Sequence, residues 1–265
     1  MRIWNTSRLA WNVIDMQPVL SVKDLSFSHG SAEVLSGVSF DVVPGDYVAL
    51  AGPNGAGKTS LIKVILGLEE KNAGSVKIFG QDLERFSEWR RIGYLPQRVE
   101  AFNPLFPATV KEVVSLGLLS TKKFPKRFNK ADESRIIKKL ELLDLMDLKD
   151  RLVGRLSGGQ QQKVFLARAL VSDPDFLVFD EPRTALDPET RDRFFEMVSR
   201  LNKQNGVTII IITHDTSQIG EYASKLLYLD REVIFYGQFA EFCHSPEMEK
   251  YFGHFAQHLI CHQHT

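Results

Sequence analysis

The chain has 265 residues, 43% of them hydrophobic, with 33 Lys and Arg balanced by 33 Asp and Glu; this supports one large domain or two modest ones and excludes the basic footprint of a nucleic-acid binder. No apolar run approaches the ~18 to 20 residues that span a bilayer, the strongest being Val207 to Ile212, interrupted by Thr208, so any membrane span belongs to another chain. Cys243 and Cys261 are too few and too late in the chain for a disulfide framework, which fits a reducing cytosol.

In chain order, Met1 to Asp15 has neither the apolar core nor the cleavage site of a signal peptide and precedes a second methionine, Met16; residues 1–15 read as an N-terminal extension. From Val19 the pattern has period two, through Val22, Leu25, Phe27, Val38, Phe40 and Val42, and Pro44-Gly45-Asp46 then supplies turn chemistry, so antiparallel strands lead in. Tyr47 to Ala51 reads as a strand buried on both faces, and Lys58 to Leu66 as an apolar helix stopped by Gly67. A short strand is expected over Ile92 to Leu95. Thr109 and Glu112 form a capping-box pattern ahead of Val113, Val114 and Leu116, and Ile136, Ile137, Leu140 and Leu143 recur at helical spacing. Residues 98–156 therefore read as a helical subdomain set into a core of 16–97 and 157–240. Two apolar strands follow, Phe176 to Phe179 and Val207 to Ile212, each preceded by a helix, which is the alternation of a parallel sheet. The helix between them has Asp187 as N-cap, Pro188 at its first position, an apolar face of Phe194, Phe195, Val198 and Leu201, and Gly206 at its end. Residues 241–265 form a histidine-containing tail.

Three segments carry chemistry. Gly52-Pro-Asn54-Gly55-Ala56-Gly57-Lys58-Thr59, followed by Ser60, matches GxxxxGK[ST] between a strand and a helix. Its backbone N–H groups curl around phosphate oxygens, Lys58 reaches the β and γ phosphates of a nucleotide, and Thr59 offers a hydroxyl to Mg²⁺. Such a loop alone fits a kinase, a GTPase or a motor equally well. The strand ending at Phe179 runs into Asp180-Glu181, two carboxylates at the carboxyl edge of a sheet; Asp180 suits Mg²⁺, and Glu181 suits orienting or deprotonating the attacking water. The bland alternative is a solvated acidic turn. Leu156-Ser157-Gly158-Gly159-Gln160 stands before an apolar helix with Val164, Phe165 and Leu170, and leaves N–H groups to face a second anion.

With LSGGQ letter for letter, the chain resembles the ABC ATPase family over about Val19 to Gly237. The resemblance implies an α/β P-loop NTPase core with a mostly parallel sheet, N-terminal antiparallel strands and an inserted helical subdomain. It also implies a head-to-tail pair sandwiching two ATP, in which Ser157, Gly158, Gly159 and Gln160 of one copy close over the γ-phosphate on the other's loop. Other positions match in order: Gln97 as the glutamine that touches Mg²⁺ and senses the γ-phosphate, Ala185-Leu186-Asp187 as an interface loop, and His214 as the histidine that contacts the γ-phosphate and water. Two positions depart. His29 stands where the family stacks a larger aromatic on adenine, and Arg183 brings a charge to the expected subunit interface.

Phe106-Pro-Ala-Thr109-Val-Lys-Glu112-Val-Val and Gly117 look like the ATPases of bacterial zinc and manganese importers. That likeness implies ATP hydrolysis at the cytoplasmic face of the cell membrane, a separate integral permease docked on the helical subdomain and an extracytoplasmic metal-binding protein in the same system, while the charge balance speaks against a nucleic-acid partner. His254, His258 and His262 recur at helical spacing beside Cys261 and His264, a pattern that suits either a transition metal or a solvated tail. An ABC ATPase for another substrate, or one outside transport, is the alternative.

Overall fold

The computed structural model describes residues 17–97, 107–122, 127–182, 188–213 and 219–252. They form β1 (Leu20–His29), β2 (Ala32–Val42), β3 (Tyr47–Ala51), α1 (Lys58–Ile65), β4 (Ala73–Ile78), β5 (Gln81–Asp82), β6 (Ile92–Leu95), α2 (Val110–Leu116), α3 (Lys130–Leu142), α4 (Gly158–Leu170), β7 (Phe176–Asp180), α5 (Pro188–Asn205), β8 (Thr208–Ile212), β9 (Lys225–Asp230), β10 (Glu232–Gln238) and α6 (Pro246–Phe252). The described residues of Met1–Phe86 and Met197–Thr265 make one compact unit, and those of Ser87–Glu196 a second.

In the first unit, an antiparallel sheet runs in the order β2-β1-β4-β5. Period two in the sequence becomes two faces, with Leu20 and Val22 buried and, past a register shift between Val22 and Leu25, Leu25 and Phe27 of β1 buried as well. Strand β3 is buried along its whole length and lies parallel to β8 on one side and β9 on the other, as a continuous apolar run requires. β10 continues from β9 antiparallel. The turn before β3 is held by Asp46, whose carboxylate accepts from Val43 N at 2.9 Å and pairs with Lys225 at 2.8 Å.

In the second unit, β6 and β7 pair in parallel. Helices α2, α3 and α4 all begin with a reciprocal capping box: Thr109 with Glu112, Asn129 with Asp132, and Ser157 with Gln160. The buried stripe of α2 is Val110, Val113 and Val114. Leu116 is 46% exposed, because at ~100° per residue it lies about 120° round the helix from Val110. Gly117, which ends α2, has no space for a side chain: a Cβ there would stand 2.1 Å from the Arg168 carbonyl oxygen of α4. The expected α/β fold, with parallel strands and a leading antiparallel sheet, is therefore present. Among the described residues no helix is long and apolar enough to cross a membrane.

Candidate nucleotide-binding site

The segment 52–57 joins the end of buried β3 to the start of α1. Gly52 has φ +148°, and a Cβ on it would stand 1.9 Å from the Leu229 carbonyl oxygen, so no other residue fits. Gly57 is the N-cap of α1 with φ +91°, has no side chain with which to cap it, and no acidic residue stands in the first turn. The helix thus turns the positive end of its dipole toward the loop with no carboxylate of its own first turn to offset it. Lys58 is buried, and its Nζ donates to the carbonyls of Gly52 at 2.9 Å and Pro53 at 2.7 Å, which curls the loop around the ammonium. Pro53, Asn54 and Gly55 are exposed, Ala56 is buried, and Thr59 and Ser60 are half-buried at the rim. A ring of backbone donors with one cation is built to take a polyphosphate. His29, in the same unit, ends β1 exposed, its ring set edge-on to Phe27 at 4.8 Å.

In the second unit the pairing of Leu95 with Phe179 brings the residues following β6 and those following β7 to one sheet edge. There Gln97 Nε2 donates to Glu181 Oε2 at 2.5 Å. Asp180, the last residue of β7, is buried. Glu181 has φ +48°, left-handed backbone that a residue with a Cβ adopts only where its surroundings impose it. The phenol of Tyr94 is pushed up to about 12, by burial first and then by the charge of Asp180. Carboxylate and amide oxygens form the set that a hard cation such as Mg²⁺ prefers, so these residues fit that ion.

At the start of α4, Ser157 Oγ accepts from Gln160 N at 3.3 Å, and Gln160 Oε1 accepts from Ser157 N at 3.1 Å. The box leaves the N–H groups of Gly158 and Gly159 pointing off the helix end, and the Ser157 hydroxyl keeps its own proton to donate. A cavity of about 190 Å³ lies beside β6, lined by Tyr94, Leu116, Gly117, Arg168, Ala169 and Ser172 among others. The Arg168 guanidinium lies 4.8 Å over the Phe165 ring, and burial pushes its pKa down.

The structure thus brings Gln97, Asp180 and Glu181 together, and places Gly52 to Ser60 and Ser157 to Gln160 each on its own helix start. Residues 1–15, Phe106, Arg183, Ala185-Leu186-Asp187, His214 and the histidines from His254 onward lie outside the described residues. Sequence reasoning missed the β9–β10 turn, where Arg231 N donates to Ala56 O at 3.1 Å. Backbone contacts of that kind leave no mark on residue type, and the only trace is the glycine required at 52.

Residues 35–184 match the family model described as ABC transporter. The chain is 38% identical over 229 residues to the zinc uptake system ATP-binding protein ZurA of Listeria monocytogenes, covering 86% of this chain and 89% of that protein. It is 40% identical over 215 residues to the high-affinity zinc uptake system ATP-binding protein ZnuC of Bacillus subtilis, covering 80% and 91%. With the manganese transport system ATP-binding protein MntB of Halalkalibacterium halodurans it shares 34% over 233 residues, covering 88% and 91%. Among solved structures, the dimeric bacterial ABC transporter cassette MJ0796 superposes with a TM-score of 0.73 at 26% identity, covering 83% of this chain and 98% of that one.

Proposed function

Since the chain belongs to the ABC transporter family and is one of its ATPases, we propose that it drives uptake of a divalent transition metal, zinc or manganese, through a separate membrane permease. The observation that carries this reading is identity of 34 to 40% with zinc and manganese transport ATP-binding proteins across at least 80% of the chain. The chain works at the cytoplasmic face of the membrane, as a pair of ATPase subunits beside the permease. An extracytoplasmic metal-binding protein delivers the cargo, and nucleic acid plays no part.

The loop Gly52 to Ser60 holds the triphosphate, with Lys58 turning its ammonium from the loop carbonyls to the β and γ phosphates, and His29 stacks on the base. Thr59, Gln97 and Asp180 would hold Mg²⁺, which neutralises charge on the phosphate oxygens. Glu181 orients the attacking water and takes its proton as oxygen bonds to the γ-phosphorus and the bond to the β–γ bridging oxygen breaks, releasing ADP. The Gln97 amide, at 2.5 Å, fixes the Glu181 carboxylate in that role. His214 contacts the γ-phosphate and the water. Ser157, Gly158, Gly159 and Gln160 of the twin copy close over the γ-phosphate, supplying N–H and hydroxyl donors that the first copy lacks.

Residues 98–156 form the subdomain that docks the permease, with the cavity beside Leu116 and Arg168 as part of the contact. ATP binding closes the pair and carries the docked helices with it; hydrolysis resets them. The test is metal accumulation in cells whose own copy is deleted. Zinc or manganese uptake is expected to return with the natural chain and not with Lys58→Ala, and unchanged uptake of both ions in the deletion strain overturns the assignment.

A further inference from the structure

The phosphate loop is gripped at two points by one hairpin turn, and the C-terminal helix holds the residue between the two grips. Leu229, near the end of β9, lays its carbonyl oxygen against the Cα of Gly52, where even a methyl group would come within 1.9 Å. Two residues on, Arg231 donates its N–H to the Ala56 carbonyl at 3.1 Å and accepts from Ser36 N at 2.9 Å. Arg231 has φ +62°, a sparsely populated conformation for a side-chain-bearing residue that persists only when neighbours enforce it. Between them stands Asp230, whose Oδ2 accepts a hydrogen bond from the Tyr251 hydroxyl on α6 at 2.6 Å.

Helix α6 is itself anchored. Met248 is fully buried, the Phe252 ring meets Tyr228 of β9 at 5.3 Å, and Tyr251 meets the same ring edge-on at 5.6 Å. Tyr251 therefore reaches Asp230 from a fixed base, through a charge-assisted bond stronger than a neutral one.

We propose that Tyr251 and Asp230 are positioning residues for the phosphate loop, so that the C-terminal helix sets the chain's affinity for the phosphates of ATP. The inference rests on the reading of Gly52 to Thr59 as the phosphate cradle. Loss of the hydroxyl frees the turn, the carbonyls and N–H groups from Gly52 to Ala56 lose their fixed spacing, and the cradle must be ordered by the nucleotide at a cost in binding. Chemistry at Glu181 is untouched. A pin that merely holds α6 in place would lower the melting temperature and leave nucleotide affinity alone.

The test uses the full chain and measures KM and kcat for ATP, the ATP dissociation constant, and the nucleotide-free melting temperature. Tyr251→Phe is expected to raise KM and the dissociation constant about three- to tenfold, the span of one lost hydrogen bond, with kcat within twofold. Asp230→Asn, which still accepts from the Tyr251 hydroxyl, is expected to raise them less, whereas Asp230→Ala, which accepts nothing, is expected to match Tyr251→Phe and replaces it if that variant does not fold. Lys58→Ala runs alongside. If it weakens ATP binding by about tenfold or more while Tyr251→Phe, or Asp230→Ala where the former does not fold, stays within twofold of the natural KM, the positioning role is overturned and the cradle stands. If Lys58→Ala binds ATP normally, the cradle itself is wrong.

Discussion

The starts of α1 and α4 are both glycine-bearing turns assigned to phosphate, yet they are held in opposite ways. At α4 the turn is closed by its own side chains, Ser157 and Gln160 exchanging hydrogen bonds across three residues. At α1 the N-cap is a glycine with no side chain to close the turn; besides the Lys58 ammonium, which bonds two loop carbonyls from within, the turn is held by Leu229 and Arg231, far along the chain. A side-chain cap satisfies donors that a ligand would otherwise use, so α4 has less to offer an anion, while the N-cap of α1 competes for none. The difference matches the proposed division of labour: one turn binds nucleotide in the single chain, and the other engages only when a twin brings the phosphate to it.

The comparison is broken most sharply at the chemistry both turns serve. Glu181→Gln is expected to lower turnover by about 10² to 10⁴ fold with nucleotide still bound; single-turnover hydrolysis at the natural rate removes its role. Lys58→Ala is expected to weaken ATP binding by at least about tenfold, since charge-assisted bonds to phosphate go with the ammonium, as read by equilibrium titration. Ser157→Asp separates capping from phosphate contact. Aspartate caps as well as serine, so stability in denaturant is expected to hold within about 0.5 kcal/mol, while its charge on the phosphate face abolishes ATP-driven pairing of the Glu181→Gln chain in sedimentation. Pairing that survives would make Ser157 a cap and nothing more.

The smallest effect concerns the outside support of α1. The hydrogen bond to Asp230, with burial, pushes the Tyr251 phenol up to about 12, against ~10 in an unfolded chain. Its contribution to stability is complete below about pH 10 and lost as pH rises through about 12. Alkaline absorbance titration is expected to show one phenol ionisation moving down towards ~10 in Asp230→Ala.

What was legible in the sequence follows the same local and non-local divide. The phosphate loop could be read because glycine spacing is itself the backbone geometry, and the Thr109–Glu112 box because its two partners lie within one turn of helix. The box of Asn129 with Asp132 escaped notice, being built from a less usual pair for the same geometry. Glu181 is legible as a carboxylate at a strand end and Gln97 only through family resemblance, but their contact across 84 residues is not legible at all, since nothing in either strand names its partner. The apolar pattern puts Leu116 on the buried face and leaves Val110 off it, because a seven-residue helix is too short for periodicity to decide its centre. The grip of Leu229 and Arg231 was invisible, being made by main chain alone.

The contact of Gly117 with the Arg168 carbonyl is main chain on main chain. Side chains that face each other across a gap can trade rotamers when their backbones approach; at residue 117 a carbonyl oxygen occupies the place a side chain would take, so the end of α2 and the last turns of α4 have no room for even one added methyl. A glycine at the end of one helix thereby fixes how near its neighbour can stand.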